Sequence, residues 1–210
     1  MAYVSKQGKS ALAPSGGGGG GYLNPQRIPT GSSARYALLS ETPLEYWEVW
    51  VEDSEGTLNP KTGKVVCRTF RFTQEPTDAE MEAELGTQWV RRMNYDKTEV
   101  DTVKFCLASR IYNHDTERIE ILSSDKPSVN QAWDEACDKV QSEDDYPTIL
   151  DCDFVLDKTG KGLDTRYAIR SAPRKKGTTD KIQEAKEASD AEGFDITRLL
   201  MNLDPFREAK

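Results

Sequence analysis

The sequence predicts a mainly β domain with helices, an α+β fold, and three observations support this prediction. Several stretches alternate apolar and polar residues with a period of two, which is typical of half-buried strands. Turn-forming Gly, Asn, Asp and Pro residues separate these stretches into pairs. One later segment instead carries apolar residues at helical spacing. The chain has 210 residues, 36% of them hydrophobic, so one compact domain with tails fits its length.

The first strand pair is predicted at residues 46–51 and 64–72. Both stretches alternate apolar and polar side chains, and an Asn-Pro-Lys-Thr-Gly turn separates them. After this pair, Thr77 and Glu80 have the spacing of a capping box. They predict a short helix that ends before Gly86.

The second half of the chain predicts two more strand pairs with a helix between them. Residues 102–112 and 118–122 flank an Asn-His-Asp turn, and residues 128–141 carry one apolar stripe at helical spacing. Residues 150–157 and 163–170 form the last hairpin. A helix before the last hairpin fits an OB-like antiparallel β-barrel, and the same order fits a generic small antiparallel α+β domain.

The composition divides the chain into a body and two flexible termini. Residues 1–33 predict a flexible, basic, glycine-rich arm, residues 34–176 the folded domain, and residues 177–210 an acidic tail with a short C-terminal apolar or helical motif. The candidate partner-binding residues in this motif are Leu203, Asp204, Pro205 and Phe206. This motif either docks on a partner or forms a terminal helix that packs on the domain itself.

Cysteine and histidine usage predicts no metal or cofactor. The cysteines, at positions 67, 106, 137 and 152, form no close Cys-Cys or Cys-His pair, although a structural zinc site usually contains one. Free thiols in a reducing compartment are the favoured interpretation. No segment reaches the ~20 apolar residues of a membrane-spanning helix, and the N-terminus lacks the apolar stretch of a secretory signal. We therefore expect a cytoplasmic protein.

No catalytic set is evident, so the chain is not predicted to be an enzyme. Residues 158–162 resemble a phosphate loop, but a strand follows them where a helix is needed, so they predict a hairpin turn. His114, the single histidine, lies in a turn and is expected to be solvated surface. Asp151 and Asp153 are expected to form cross-strand ion pairs with Arg166 and Arg170 rather than a cation site.

Basic and aromatic residues interleave in four groups within a chain whose net charge is −8. The net charge excludes coating of nucleic acid by bulk positive charge, but it does not exclude a local groove. Aromatic faces that stack on bases beside cations that contact phosphates are typical of single-strand binding. The candidate residues are Trp50, Arg68, Phe70, Phe72, Trp89, Arg91, Arg92, Lys104, Arg110, Tyr112, Arg166, Tyr167, Arg170, Arg174, Lys175 and Lys176. For Phe70 and Phe72 the alternative to base stacking is a position in the core.

Four segments resemble the core of bacteriophage single-stranded-DNA-binding proteins. They are residues 103–122, the helix start at 126–128, residues 151–156 and residues 162–169, of which the Tyr-Asn-His-Asp turn and the Asp-Thr-Arg-Tyr strand are the most distinctive. The chain is thus similar, over roughly residues 34–176, to the T-even helix-destabilising protein family. That resemblance implies an OB fold used in replication, recombination and repair, while the family's clustered Cys and His zinc module is missing from this chain.

The resemblance also implies positions for particular residues. Phe105 and Tyr112 would lie on or beside the DNA-facing sheet, with Arg110, Arg166 and Arg170 near the groove. Strand alternation places Phe105 and Tyr112 on opposite faces, so at most one of them would stack unless a bulge intervenes.

We therefore predict a non-enzymatic protein that coats single-stranded DNA by stacking and phosphate contacts. Its arm, with Lys6 and Lys9, would support self-association along DNA, and its tail would contact replication or recombination proteins. The alternative is a phage regulatory or adaptor protein whose barrel and tail bind a host protein such as RNA polymerase.

Overall fold

A computed structural model describes residues 21–94, 96–142 and 146–206, which form one mixed β-sheet with helices on both faces. The strands are β1 (Tyr22–Leu23), β2 (Ser32–Leu38), β3 (Leu44–Asp53), β4 (Cys67–Phe72), β5 (Trp89–Arg91), β6 (Lys104–Asn113), β7 (Arg118–Ser124), β8 (Cys152–Thr159) and β9 (Arg166–Pro173), and the α-helices are α1 (Asp78–Leu85), α2 (Pro127–Ser142) and α3 (Thr179–Ala191). Short 3-10 helices span Pro25–Arg27, Gly162–Asp164 and Ile196–Met201. The predicted α+β class is confirmed.

The sheet branches at β6. Its main path is β1-β7-β6-β2-β8-β9, while β3 pairs with the first half of β6 and carries β4 and β5. All pairs are antiparallel except β1 with β7. The end strands β1 and β9 do not pair with each other in the described ranges, so the sheet is open there.

The elements that have strong sequence patterns form as predicted. The capping box is present, because Thr77 Oγ1 accepts from the Glu80 amide at 3.3 Å and Glu80 Oε2 accepts from the Thr77 amide at 2.8 Å. Helix α1 stops at Gly86, whose φ of +57° suits a residue without a Cβ. The strand pairs β3–β4, β6–β7 and β8–β9 correspond to the three predicted pairs, and α2 to the predicted central helix.

One face of the sheet, which we call the α2 face, contains the main core. Helix α2 buries Val129, Trp133 and Val140 against β2, β6 and β8, where Tyr36 and Phe154 are fully buried. The predicted core position of Trp133 is confirmed. Helix α1 covers the same face farther along, where β3 and β4 lie.

The opposite face, the α3 face, is covered by the C-terminal part of the chain. Helix α3 packs Ile182 against Tyr112 and Ala37 of the sheet. Beyond α3, Leu199 packs against Tyr46 and the residues around it on β3, β6 and β7. Residues 178–206 therefore form a layer of the fold, although the sequence predicted that the folded domain ends at residue 176.

Residues 196–206, which we call the C-terminal strap, are fixed to the sheet by side-chain hydrogen bonds. Thr69 Oγ1 donates to Asn202 Oδ1 at 2.9 Å, and Asn202 Nδ2 donates to the Thr69 carbonyl at 2.8 Å. Pro205 is fully buried, and the Phe206 ring lies 5.2 Å from the Phe194 ring. Of the two alternatives for the C-terminal motif, the structure shows packing on the chain's own sheet.

The N-terminal segment enters the fold earlier than the sequence indicated. Residues 21–33, assigned to the flexible arm, contain β1, a 3-10 helix and the start of β2. Asn24 caps that 3-10 helix, since its side chain accepts from the Gln26 amide at 2.9 Å. Residues 1–20 of the predicted arm and residues 207–210 of the predicted tail lie outside the described residues.

A buried carboxylate joins three parts of the chain. Asp153 is fully buried; Arg35 Nε donates to its Oδ2 at 2.7 Å and Arg174 Nη1 to its Oδ1 at 2.7 Å. His114 Nε2 lies 3.0 Å from Asp153 Oδ2, and His114 is only 5% exposed. The expectation that His114 is solvated surface was therefore wrong, because the β6–β7 turn folds back over β2 and β8.

Candidate nucleic-acid interface

A cleft of about 410 Å³ opens on the α3 face beside β3, which we call the Trp50 cleft. Its wall on one side is the N-terminal segment 22–27, and its floor is formed by β3, β4 and β6. The side chains that give it chemical character are Tyr22, Arg27, Tyr46, Glu48, Trp50, Arg71, Asp125 and Lys126. Its volume is in the range of ordinary small-ligand sites.

Strand alternation places the charged groups of the cleft on one face. Glu48 and Trp50 alternate with the buried Val49 on β3, and Arg71 lies directly opposite Glu48 on β4. Arg71 Nε donates to Glu48 Oε2 at 2.9 Å, and its guanidinium lies 5.3 Å from the centre of the Tyr46 ring. Arg71 is thus fixed against the sheet face, and its side chain remains 17% exposed at the cleft.

Basic groups outnumber acidic groups around the cleft. Lys104 and Lys126 both approach Asp125, with Nζ–Oδ2 distances of 3.5 Å and 3.8 Å. Arg27 is exposed and makes no ion pair within the described part of the chain. With Glu48 and Asp125 each facing a partner, the remaining positive charge is available for an anion.

Trp50 supplies an aromatic surface at one end of the cleft. Its side chain is half-buried, and the Arg92 guanidinium lies 5.7 Å from its ring centre. The Arg92 amide also donates to the Trp50 carbonyl at 2.9 Å, so the two residues are fixed beside each other. A half-exposed indole next to a guanidinium can stack on one face of a base.

Two groups in the cleft wall stay neutral at neutral pH. Burial raises the pKa of Tyr46 to about 12, and burial raises the pKa of the Cys106 thiol to about 12. Tyr46 Oη lies 3.3 Å from Ser123 Oγ, which satisfies the hydroxyl. Neither group adds charge to the cleft, so its electrostatic character depends on the arginines, lysines and carboxylates.

Other predicted residues lie on the α2 face, where they form a half-exposed aromatic row. The row consists of the predicted residues Phe70, Phe72, Trp89 and Phe105, together with Trp47, which was not among the candidates. The Arg68 guanidinium lies 4.4 Å from the Phe70 ring centre and 5.1 Å from that of Trp89. Phe70 and Phe72 also pack against the core under α1. One part of each ring therefore belongs to the core, and the other part remains on the half-exposed sheet surface.

Three predicted residues are occupied by contacts within the fold. Arg91 donates to Asp78 Oδ1 at 3.2 Å and to a backbone carbonyl. Arg110 is only 8% exposed, and it pairs with Asp190 of α3 at 2.5 Å. Tyr112 is 2% exposed beneath α3. In this arrangement Arg110 and Tyr112 are covered by α3 and cannot reach a strand of nucleic acid.

The remaining predicted residues lie along β9, at the opposite end of the sheet path from β1. Arg166 and Lys176 are exposed, Arg170 lies 3.4 Å from Asp157, and Lys158 lies 6.0 Å from the Tyr167 ring centre. The other two follow β9: the Arg174 side chain donates to Asp153, and the Lys175 backbone amide donates to the same carboxylate. The predicted set is therefore divided among the Trp50 cleft, the aromatic row and the β9 edge.

Sequence reasoning missed most of the cleft wall. Arg71 could have been found, since strand alternation and the register of the β3–β4 hairpin place it on the Trp50 face. Tyr22, Arg27 and Lys126 reach the cleft only because β1 pairs with β7, a contact between distant parts of the chain. No local sequence signal predicts that pairing.

Comparisons of the chain with protein-family models, with curated proteins and with solved structures found no match. Over residues 21–94, 96–142 and 146–206, no cluster of three or more His, Cys, Asp or Glu side chains is arranged to hold a metal ion. Within the same ranges, every helix is too short or too polar to cross a membrane.

Proposed function

We propose that this protein binds single-stranded DNA without catalysing a reaction, and that the Trp50 cleft is its primary contact. A base stacks on Trp50, and the adjoining phosphates contact Arg27, Arg71 and Lys126. The observation that carries the proposal is the half-exposed Trp50 in a nucleotide-sized cleft where cations outnumber carboxylates. Arg92 and Lys104 extend the positive surface along the strand path.

An unpaired strand fits this cleft better than a duplex does. Stacking on Trp50 requires a base whose face is free, and a paired base in a duplex has neighbours on both faces. The surplus of cations is local, while the whole chain carries a net charge of −8. Such a charge distribution favours contact through one groove and discourages nonspecific association elsewhere.

The biological setting of the proposal follows from the resemblance in the sequence. The open, mostly antiparallel sheet, with α2 between β7 and β8, supports an OB-type architecture as part of this proposal. Coating of single strands in replication, recombination and repair of a phage, in the cytoplasm of its host, is the corresponding role. Self-association along DNA through residues 1–20 belongs to the same proposal.

An adaptor role, with a host protein such as RNA polymerase as partner, is the second candidate. It is supported by the exposed apolar side chains of Met201 and Leu203 on the C-terminal strap, which are 63% and 45% exposed. Pro205 and Phe206 pack within the fold, so a partner would bind the outer surface of the strap.

Fluorescence anisotropy tests the proposal with labelled oligo-dT and a duplex of equal length across a salt series. We expect tighter binding of the single strand and a log–log salt slope that falls by about one when Lys126→Gln removes a phosphate contact. Trp50→Ala is expected to weaken binding about tenfold or more, since one stacked base contributes roughly 1–3 kcal/mol.

Arg166→Gln on the β9 edge is the matched control, because it removes an exposed cation far from the cleft. Equal affinity for single strand and duplex, or binding without a salt slope, contradicts the proposal. If Arg166→Gln weakens DNA binding and Lys126→Gln does not, the DNA contact lies at β9 and not in the cleft.

A further inference from the structure

A second cleft, of about 450 Å³, lies on the α2 face between β6 and α2, and we call it the α2 pocket. Its floor is apolar, with Phe105 and Leu107 from β6 and Trp133 from α2. The segment that links β2 to β3 forms its outer edge. Phe105 is 38% exposed here, so the pocket presents an apolar surface at an opening in the core.

Asn130, in the wall of this pocket, carries a buried hydrogen-bond acceptor. The residue is 7% exposed, and its Nδ2 donates to the Phe105 carbonyl at 3.3 Å. That bond fixes the amide orientation, while Oδ1 is buried and has no hydrogen-bond partner. A buried acceptor without a partner destabilises the fold, so a ligand that donates a hydrogen bond to Oδ1 gains affinity.

The rim of the α2 pocket is strongly acidic. Four exposed carboxylates line it and no lysine or arginine does, and none of the four has an ion-pair partner within the described part of the chain. The four are Glu41, Glu45, Asp134 and Asp138. This field repels phosphates and attracts cations, so the α2 pocket and the Trp50 cleft suit ligands of opposite charge.

We propose that the α2 pocket binds an arginine-bearing, apolar peptide segment of a protein partner. The guanidinium donates to Asn130 Oδ1 and to the rim carboxylates, and apolar side chains next to the arginine pack on Phe105 and Trp133. Arginine fits better than lysine because its planar fork of donors can serve an amide oxygen and a carboxylate together, and it is more weakly hydrated.

Backbone-amide and side-chain NMR spectra of the ¹⁵N-labelled full chain test this proposal, with the peptide acetyl-Leu-Arg-Leu-amide as probe. We expect saturable shifts of the Asn130 side-chain amide and the Trp133 indole signals. The matched peptide with citrulline in place of arginine keeps the shape and loses the charge. It is expected to bind about tenfold more weakly, because charge-assisted hydrogen bonds are the stronger ones.

Protein variants locate the site without disturbing the core. Asp134→Asn with Asp138→Asn removes two exposed rim charges on α2 and is expected to weaken arginine-peptide binding severalfold. Glu82→Gln with Glu84→Gln on α1 removes two exposed acids elsewhere and is the control, expected to leave the affinity unchanged.

Three results would overturn the proposal. The first is equal affinity for the arginine and citrulline peptides, and the second is a shift of the same signals by oligo-dT. The third is a change in the pocket signals when residues 1–14 are deleted, which would mean that the chain's own segment with Lys6 and Lys9 fills the pocket.

Discussion

At the scale of single residues, Asp153 is a buried carboxylate that contacts Arg35, His114, Arg174 and the Lys175 amide. Burial alone would raise its pKa, but the contacts from His114 and Arg35 outweigh burial and lower the pKa to about 2. The ordinary pKa of an aspartate in an unfolded chain is about 3.9. The ionised form is thus favoured in the folded state, and its contribution to stability is present above about pH 4 and lost as the pH falls towards 2.

Replacing Asp153 by Asn should destabilise the protein, because it leaves Arg35 and Arg174 without their common anion. We expect a loss of about 3 kcal/mol in the free energy of unfolding at pH 7, measured by urea denaturation. The difference from the unmodified protein should shrink as the pH is lowered from 4 to 2, since the native carboxylate is then protonated as well.

Asp157→Asn on the same strand is the control for this prediction. Asp157 pairs with the exposed Arg170 at 3.4 Å, and a surface pair of this kind contributes at most about 1 kcal/mol. A loss at Asp153 no larger than at Asp157, or one that does not change between pH 7 and pH 2, would contradict the role assigned to the buried carboxylate.

At the scale of elements, the C-terminal strap and strand β4 are joined by the side chains of Asn202 and Arg71. Asn202 has a φ of +57° and exchanges two hydrogen bonds with Thr69. Nearby, Arg71 Nη1 donates to the Leu199 carbonyl at 2.5 Å while its Nε donates to Glu48. Arg71 therefore contacts both the strap and the Trp50 cleft.

Asn202→Ala should loosen the strap, because it removes both bonds to Thr69 and places a Cβ residue in the left-handed region. We expect the free energy of unfolding to fall by about 2 kcal/mol. Amide hydrogen exchange of residues 196–206 should also become faster.

Asn202→Gly separates the two contributions, because glycine accepts the positive φ and loses only the hydrogen bonds. Its destabilisation should be about 1 kcal/mol smaller than that of the Ala variant. Unchanged exchange of residues 196–206 in both variants would show that the apolar contacts and the Arg71 bond to Leu199 hold the strap without Asn202.

Elements with a regular sequence pattern were predictable, and those fixed by distant pairing were not. The apolar stripe of α2 reflects burial of one helix face. The period-two pattern of β6 reflects its extended backbone, although the structure buries both faces of that strand. Strand β2 was missed although it is central, because its register depends on β6 and β8, which come much later in the chain. The same reason explains the site: Trp50 and Lys104 were predicted, while Arg27 and Lys126 were not.

At the scale of the whole molecule, the acidic C-terminal region is a structural layer as well as a source of charge. It covers the apolar side chains of Tyr46, Cys106 and Ile121 near the strap. Helix α3 also supplies Asp190 as the partner of the nearly buried Arg110. Composition indicated a solvated tail, because acidic residues dominate the outer surface of α3 and conceal the few apolar residues that pack inwards.

A chain that ends at Lys176 is therefore expected to lose cooperative folding. Its sheet would expose one apolar face, and Arg110 would lose its anion. Differential scanning calorimetry should show no sharp transition, and a hydrophobic dye should bind strongly. A monomeric truncated chain with a cooperative transition near that of the full chain would contradict the structural role of residues 177–206.

The branching of the sheet at β6 has a consequence for folding during synthesis on the ribosome. Strand β2 pairs with β6 and β8, and β1 pairs with β7. The strands from the first 40 residues therefore have no neighbours until more than half of the chain has been made. Contacts of such sequence separation slow folding, so the nascent chain must expose its N-terminal strands until late in translation and should then fold in one concerted step.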